Sequence, residues 1–214
     1  MGKLLFISSR LFSSRLRVDT SLGSRSYLCL LFLCGVIAIF AQPQSIHAQE
    51  YTQRPTREYQ IKASLIYNFL QFIEWPPETW EPSGGTLRLC VVGSDPFGVA
   101  LSPLEKEIVQ GKKIEVHRLT DGEGAKRTGC HVVYVTHAAV NEVPTVVAIS
   151  KESSVLTIGE TPNFLDQGGI IALLLSDGKI VFDINQSAAT QARLYISSQL
   201  LRIARRATEN EESN

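Results

Sequence analysis

Few residues in this chain have the chemistry for catalysis or metal binding. Three of its four histidines, His117, His131 and His137, lie beyond residue 50. His117 sits in a run of alternating pattern and reads as a strand surface residue. Cys130 and His131 are adjacent, which could begin a metal site, but no second Cys or His pair follows at ligand spacing. His131 therefore reads as a strand-edge residue. No G-x-S-x-G elbow occurs, which argues against a hydrolase of that type. GSDPFG at 93–98 follows a strand-like run, yet it has neither G-x-G-x-x-G spacing nor a Lys-Ser/Thr ending, so its glycines serve a turn. Asp177 and Asp183 flank a tight turn and read as solvated hairpin residues, not a catalytic carboxylate pair. An enzyme would have to assemble scattered residues such as His131, Asp183 and a serine. The expectation is a protein that is no enzyme and holds no metal and no cofactor.

The elements that position these residues begin after an export signal. Lys3, Arg10, Arg15, Arg17 and Arg25 precede the apolar run YLCLLFLCGVIAIFA, residues 27–41. That run is shorter than the roughly 20 residues of a membrane span and lies at the long end for a signal-peptide core. Residues 1–48 read as a signal peptide cleaved after Ala48, with an uncleaved anchor as the rival. The remainder carries 16 basic and 20 acidic residues, a charge near −4, without a basic patch for nucleic acid. Two cysteines stay with it, Cys90 and Cys130, which after export read as one disulfide or else as two buried thiols.

Residues 49–57 form a polar leader. From Glu58 to Pro76 the spacing predicts a helix whose wide stripe is Ile61, Leu65, Phe69 and Ile73 with Ile66 and Leu70 beside them, and with Lys62, Asn68, Gln71 and Glu74 largely outside it. Its dense stretch YNFLQFIEWP, 67–76, reads mainly as core, with Trp75 free to line a groove or a partner surface. LRLCVVG (87–93), IEVHRL (114–119), HVVYV (131–135) and VLTIG (155–159) predict strands. Asp95-Pro96 and the capping box Ser102-Pro103-Leu104-Glu105 predict short helices, the second ending near Gly111. Residues 138–151 predict a helix weakened by Pro144. IIALLL and IVFDIN around Ser176-Asp177-Gly178-Lys179 predict a hairpin, and 187–207 a single amphipathic helix. Residues 208–214 read as a disordered tail. The expected fold is an α/β sandwich of helices on a mostly parallel sheet with one C-terminal β-hairpin.

KASLIYNFLQFIEWP, LCVVGSDPFG, CHVVYV, VLTIGE with a following Phe and GGII, and FDIN leading to L-x-ISSQLLRIA occur in that order. Together, over about residues 59–205, they resemble the YfiR family of exported bacterial proteins. The resemblance implies a periplasmic, non-enzymatic α/β regulator occupying residues 58–207. Its implied partner is an inner-membrane sensor protein, a diguanylate cyclase of the YfiN type or another signalling protein. An outer-membrane lipoprotein that titrates the regulator away is a further implied partner, and a homodimer is open. The alternative is a periplasmic small-ligand module without a cyclase partner. The family's cysteine pair falls on Cys90 and Cys130, while its second bridge falls on Leu165 and Ala172 and is missing. Arg193 stands where the family usually has glycine. The resemblance and the turn chemistry point to a partner surface in GETPNFLDQGG, with Glu160, Phe164, Gly168 and Gly169 joined by Trp75, the alternative being an ordinary loop with Phe164 tucked inward.

Overall fold

The computed structural model describes residues 56–80 and 84–208. The expected signal peptide, all but the last residues of the leader, and the tail beyond Thr208 lie outside them. No helix among the described residues is long and apolar enough to cross a membrane.

Ten strands build two sheets among the described residues. They are β1 (Ile73–Glu74), β2 (Thr86–Val92), β3 (Ile108–Val109), β4 (Lys112–Leu119), β5 (Val132–Val135), β6 (Leu156–Gly159), β7 (Ile171–Ser176), β8 (Lys179–Asn185), β9 (Tyr195–Ile196) and β10 (Arg206–Thr208). Eight of them form one sheet in the order β10-β8-β7-β6-β5-β2-β4-β3, while β1 and β9 pair separately. Pairing is parallel from β4 through β2, β5 and β6 to β7, and antiparallel at β7–β8 and β3–β4. The expected mostly parallel sandwich with its hairpin is the observed fold. Alternate side chains of the central strands feed two cores. One, with Leu87, Leu89, Val91, Val132 and Tyr134, lies under α1 (Arg57–Phe72). The other, with Cys90, Val92, Val133 and Val135, lies under α2 (Glu123–Thr128) and α3 (Val143–Ser153). Burial on both faces explains the unbroken apolar runs of these strands.

Several local expectations give way to the tertiary structure. The inward face of helix α1 keeps Ile66, Phe69 and Leu70 of the expected stripe, with Ile73 buried just past its end, but is shifted at its N-terminal edge, where Lys62 is 2% exposed and Ile61 is 40% exposed. The buried residues of the helix are Lys62, Ala63, Ile66, Phe69 and Leu70, and the Lys62 ammonium meets the Glu160 carboxylate that follows β6. The helix stops at Phe72, since Ile73 turns extended to pair with Ile196. The Gln110 side chain donates to the carbonyls of Leu70 and Ile73 at 3.1 and 2.7 Å, meeting the open helix end. Between Asp95 and Gly111 the expected helices are replaced by two short 3-10 turns and the two-residue strand β3. The Asp95 carboxylate accepts from the Phe97 N–H at 2.8 Å, and the chain must reverse at Gln110-Gly111 to enter β4. Pro144 sits in the first turn of α3, where a missing N–H costs nothing.

The expected C-terminal helix is broken in two. Helix α4 (Gln186–Gln191) ends before Arg193, whose φ of 58° lies in the left-handed region, and β9 then separates it from α5 (Ser198–Ile203). Left-handed backbone suits glycine, which accounts for the glycine that the resemblance expects at this position. After α5 the chain returns to the sheet as β10, reaching Thr208, one residue beyond the expected domain boundary. Asp183 is not a solvated hairpin residue. It is 1% exposed and accepts from Arg205 Nε and Nη2 at 2.9 and 2.5 Å, fastening β10 to β8. The hairpin turn itself is as expected, with positive φ at Asp177 and Gly178.

Candidate functional site

In an open α/β sheet, ligands favour the carboxyl ends of strands where the chain leaves a strand in opposite directions. Here that point lies between β2 and β5, because β4 and β5 flank β2 on opposite sides. The chain closes it with its own groups. A Cβ built on Gly93 would lie 2.5 Å from Thr136 Oγ1 and 2.7 Å from Ala139 Cβ, so the loops after β2 and β5 are in full contact. Next to them the Glu160 carboxylate, 5% exposed, leaves the end of β6. Its Oε1 accepts from the His137 N–H at 2.7 Å. Its Oε2 accepts from Lys62 Nζ at 2.7 Å, Tyr134 OH at 2.8 Å and Tyr59 OH at 3.2 Å. Lys62 also pairs with Glu58 at 2.6 Å. Burial alone would raise the Glu160 carboxyl, but the Lys62 ammonium, the His137 N–H and the Tyr134 hydroxyl outweigh it and hold it below the usual range. The Tyr134 and Tyr59 hydroxyls are pushed well up by burial and by the Glu160 charge. The cluster therefore holds an ionised carboxylate whose two oxygens are engaged by groups of the chain itself. It ties α1 to β5, β6 and the start of the segment leading into α3.

The residues singled out for a partner surface are mostly turned inward. Phe164 is fully buried. A Cβ on Gly159 or on Gly169 would lie 2.3 or 2.2 Å from its ring, so these two glycines exist to admit an aromatic side chain. Gly169 is buried and Gly168, with φ of 92°, is half-buried. Trp75 is 6% exposed and packs on Trp80 at 5.7 Å. Neither Trp75 nor Phe164 offers apolar area to a partner: Phe164 takes the tucked-inward alternative, and the reading of either residue as a surface anchor is corrected. The exposed residues of that loop are Pro162, Asn163 and Asp166. Sequence reasoning placed Glu160 in the right segment as a surface charge, and it missed Lys62, Tyr59 and Tyr134 as its partners.

Just before the amino end of β5, Cys130 forms a disulfide with Cys90, the fifth residue of β2, with Cα atoms 6.0 Å apart. Both are buried, and they link β2 to the residue pair that opens β5. His131 accepts from the Arg88 N–H through Nδ1 at 3.0 Å and stacks on Trp80 with centroids 4.9 Å apart. Burial, with the Arg88 charge, lowers His131 to about 4 against the pull of a hydrogen bond with the Thr79 backbone. The ring is thus neutral and structural. Among the described residues no group of three or more His, Cys, Asp or Glu could hold a metal ion.

Several solved structures resemble this chain, among them two with the same TM-score. One is the ABC domain in complex with L-Trp from Streptococcus pneumonia, at 12% identity and TM-score 0.47, with 71% of this chain covered. The other is a conserved domain protein from Vibrio cholerae O1 biovar El Tor, at 14% identity and TM-score 0.47, with 70% covered. In each case the match spans 60% of the other chain. No curated protein matches. Residues 59–205 match a family described as YfiR/HmsC-like.

Proposed function

The chain belongs to the YfiR/HmsC-like family, and from that premise we propose that it is a periplasmic, non-enzymatic regulator that restrains a membrane-bound signalling protein. The observation that carries this reading is the family match over nearly the whole folded region, together with the Cys90–Cys130 bridge. A buried disulfide belongs to an oxidising compartment, which supports export behind a signal peptide at residues 1–48. The partner is an inner-membrane sensor of the diguanylate cyclase class, held inactive through its periplasmic domain, with an outer-membrane lipoprotein as the competing ligand.

The loop 159–169 remains the proposed contact in altered form. Pro162, Asn163 and Asp166 meet the partner, while Phe164 holds the loop from beneath and Glu160 fixes its root. Capture of the tagged protein from membranes should bring down a cyclase, and deletion should raise cellular cyclic di-GMP. Asp166→Lys should weaken capture without lowering the melting temperature. Unchanged cyclic di-GMP on deletion, with no membrane partner recovered, would overturn the reading.

A further inference from the structure

A cavity of about 270 Å³ opens at the amino ends of β5 and β6. Two guanidinium groups reach it, Arg88 from β2 and Arg193 from the turn after α4. Arg88 makes no side-chain hydrogen bond or ion pair among the described residues, although it is half-buried. Arg193 has only Glu78, at 3.4 Å, in a pair with both side chains more than half exposed. Ser153 and Ser154 line the floor. Ser154 is 1% exposed and its hydroxyl has no hydrogen-bond partner among the described residues. A buried hydroxyl without a hydrogen bond is unfavourable, which a ligand would relieve. His131 supplies a neutral wall, stacked on Trp80.

The charges can be weighed. Helix α3 ends at Ser154, which has a left-handed φ of 54°, and its carbonyl pole contributes about half a negative charge. Glu78 contributes one more. Against two guanidinium charges this leaves the cavity positive, and more so when the exposed Glu78 swings away. Paired arginine forks match the geometry of phosphate, sulfate and carboxylate oxygens.

We infer that this cavity is a binding site for a small oxyanion, held between Arg88 and Arg193 over the Ser153 and Ser154 hydroxyls, with Glu78 as the internal competitor for Arg193. This goes beyond the regulatory reading, and it is tested on the isolated protein, so either can fail alone.

The test uses protein purified from cells expressing the full chain, titrated at constant ionic strength with inorganic phosphate, sulfate and acetate in separate arms. Tryptophan emission reports the event, because Trp80 covers His131 at the cavity wall. Saturable binding of at least one anion is expected. Its dissociation constant should rise at least ~10-fold in Arg88→Gln and several-fold in Ser154→Ala, and fall in Glu78→Gln, since one competing carboxylate is gone. The arm that saturates at the lowest concentration separates tetrahedral anions from carboxylates. Absence of saturation in all three arms would overturn the site, as would equal affinity in the wild type, Arg88→Gln and Glu78→Gln. If Arg88→Gln fails to fold, the Glu78→Gln comparison decides alone: tightening supports the site and no change removes it.

Discussion

The two ends of the central strands solve opposite problems with similar materials. At the carboxyl ends, the Glu160 carboxylate collects a lysine, two phenols and a backbone N–H, and its charge is met inside the chain. Toward the amino end of β5 a covalent bridge fastens that strand to β2, and among the described residues the nearby Arg88 side chain makes no hydrogen bond or ion pair. The first end behaves as a crevice filled by its own groups, the second as a frame around an open cavity. What separates them is where stability comes from. Charge complementarity closes one end, whereas a covalent bond at the other lets polar groups stay uncommitted. A fold that must present a receptive surface can tolerate the unpaired groups only where something else holds the strands.

That contrast can be broken most severely at the bridge. Replacing Cys90 and Cys130 together by Ala should cost about 4 kcal/mol in the chain-entropy account for a loop of separation 40. Urea unfolding would read the loss, and Trp75 and Trp80 emission should shift before the rest of the transition. An unfolding curve unchanged by the double substitution would show that the amino end does not depend on its covalent tie. At the other end Glu160→Gln should cost about 3 kcal/mol. That is the low end for breaking a buried pair, because Lys62 keeps Glu58. Lys62→Met combined with Glu160→Gln should lose less than the sum of the single changes, and strict additivity would refute the idea of one coupled cluster.

Acid should separate the ends in order. His131 is lowered to about 4 from an ordinary value near 6.5, so the unfolded chain takes its proton first. Its contribution is complete above about 6.5 and fades as pH falls toward about 4. Glu160 is held below its usual range, so its contribution is complete above about 4.5 and is lost only at lower pH, as the carboxyl takes a proton in the folded state. A stability profile from pH 7 to 3 should therefore show two slopes, with His131→Asn removing the first alone. The smallest effect is expected at Arg193. Arg193→Gly should stabilise the chain by about 0.5–1 kcal/mol by relieving a left-handed backbone, while weakening oxyanion binding. Stability and affinity moving in the same direction would contradict the assignment of this arginine to the cavity.

The six longer strands, β2 and β4 to β8, were legible in the sequence as short β-branched or aliphatic runs between turn residues, whereas the two- and three-residue strands β1, β3, β9 and β10 were not. Doubly buried strands need no finer pattern. The main buried face of α1 was legible, with Ile66, Phe69 and Leu70, but its Lys62 edge was not. Lys62 looks like a surface residue until Glu160, 98 positions away, is seen beside it. Helical spacing alone then favours Ile61, which the structure leaves exposed. The break in the C-terminal helix was hidden for a related reason. Ala, Leu and Ile at helical spacing continue through Arg193, and only the pairing of Tyr195-Ile196 with Ile73-Glu74 draws the chain into a strand there. A signal was present in the sequence, since Leu194-Tyr195-Ile196 is a run with strand preference. The disulfide was reachable from compartment and cysteine count, and its neighbour Arg88 was not, because an unpaired charge has no signature in sequence.

The Phe164 ring, wedged over Gly159 and Gly169, also sets a rule for how this chain can diverge. Three positions inside an eleven-residue segment are bound into one unit of inheritance. Alanine at either glycine is forbidden while the ring remains, and a smaller residue at 164 removes the reason for both glycines at once. Descendant sequences should therefore cross from one solution to the other through a permissive first step at 164, and the reverse order should be closed to them.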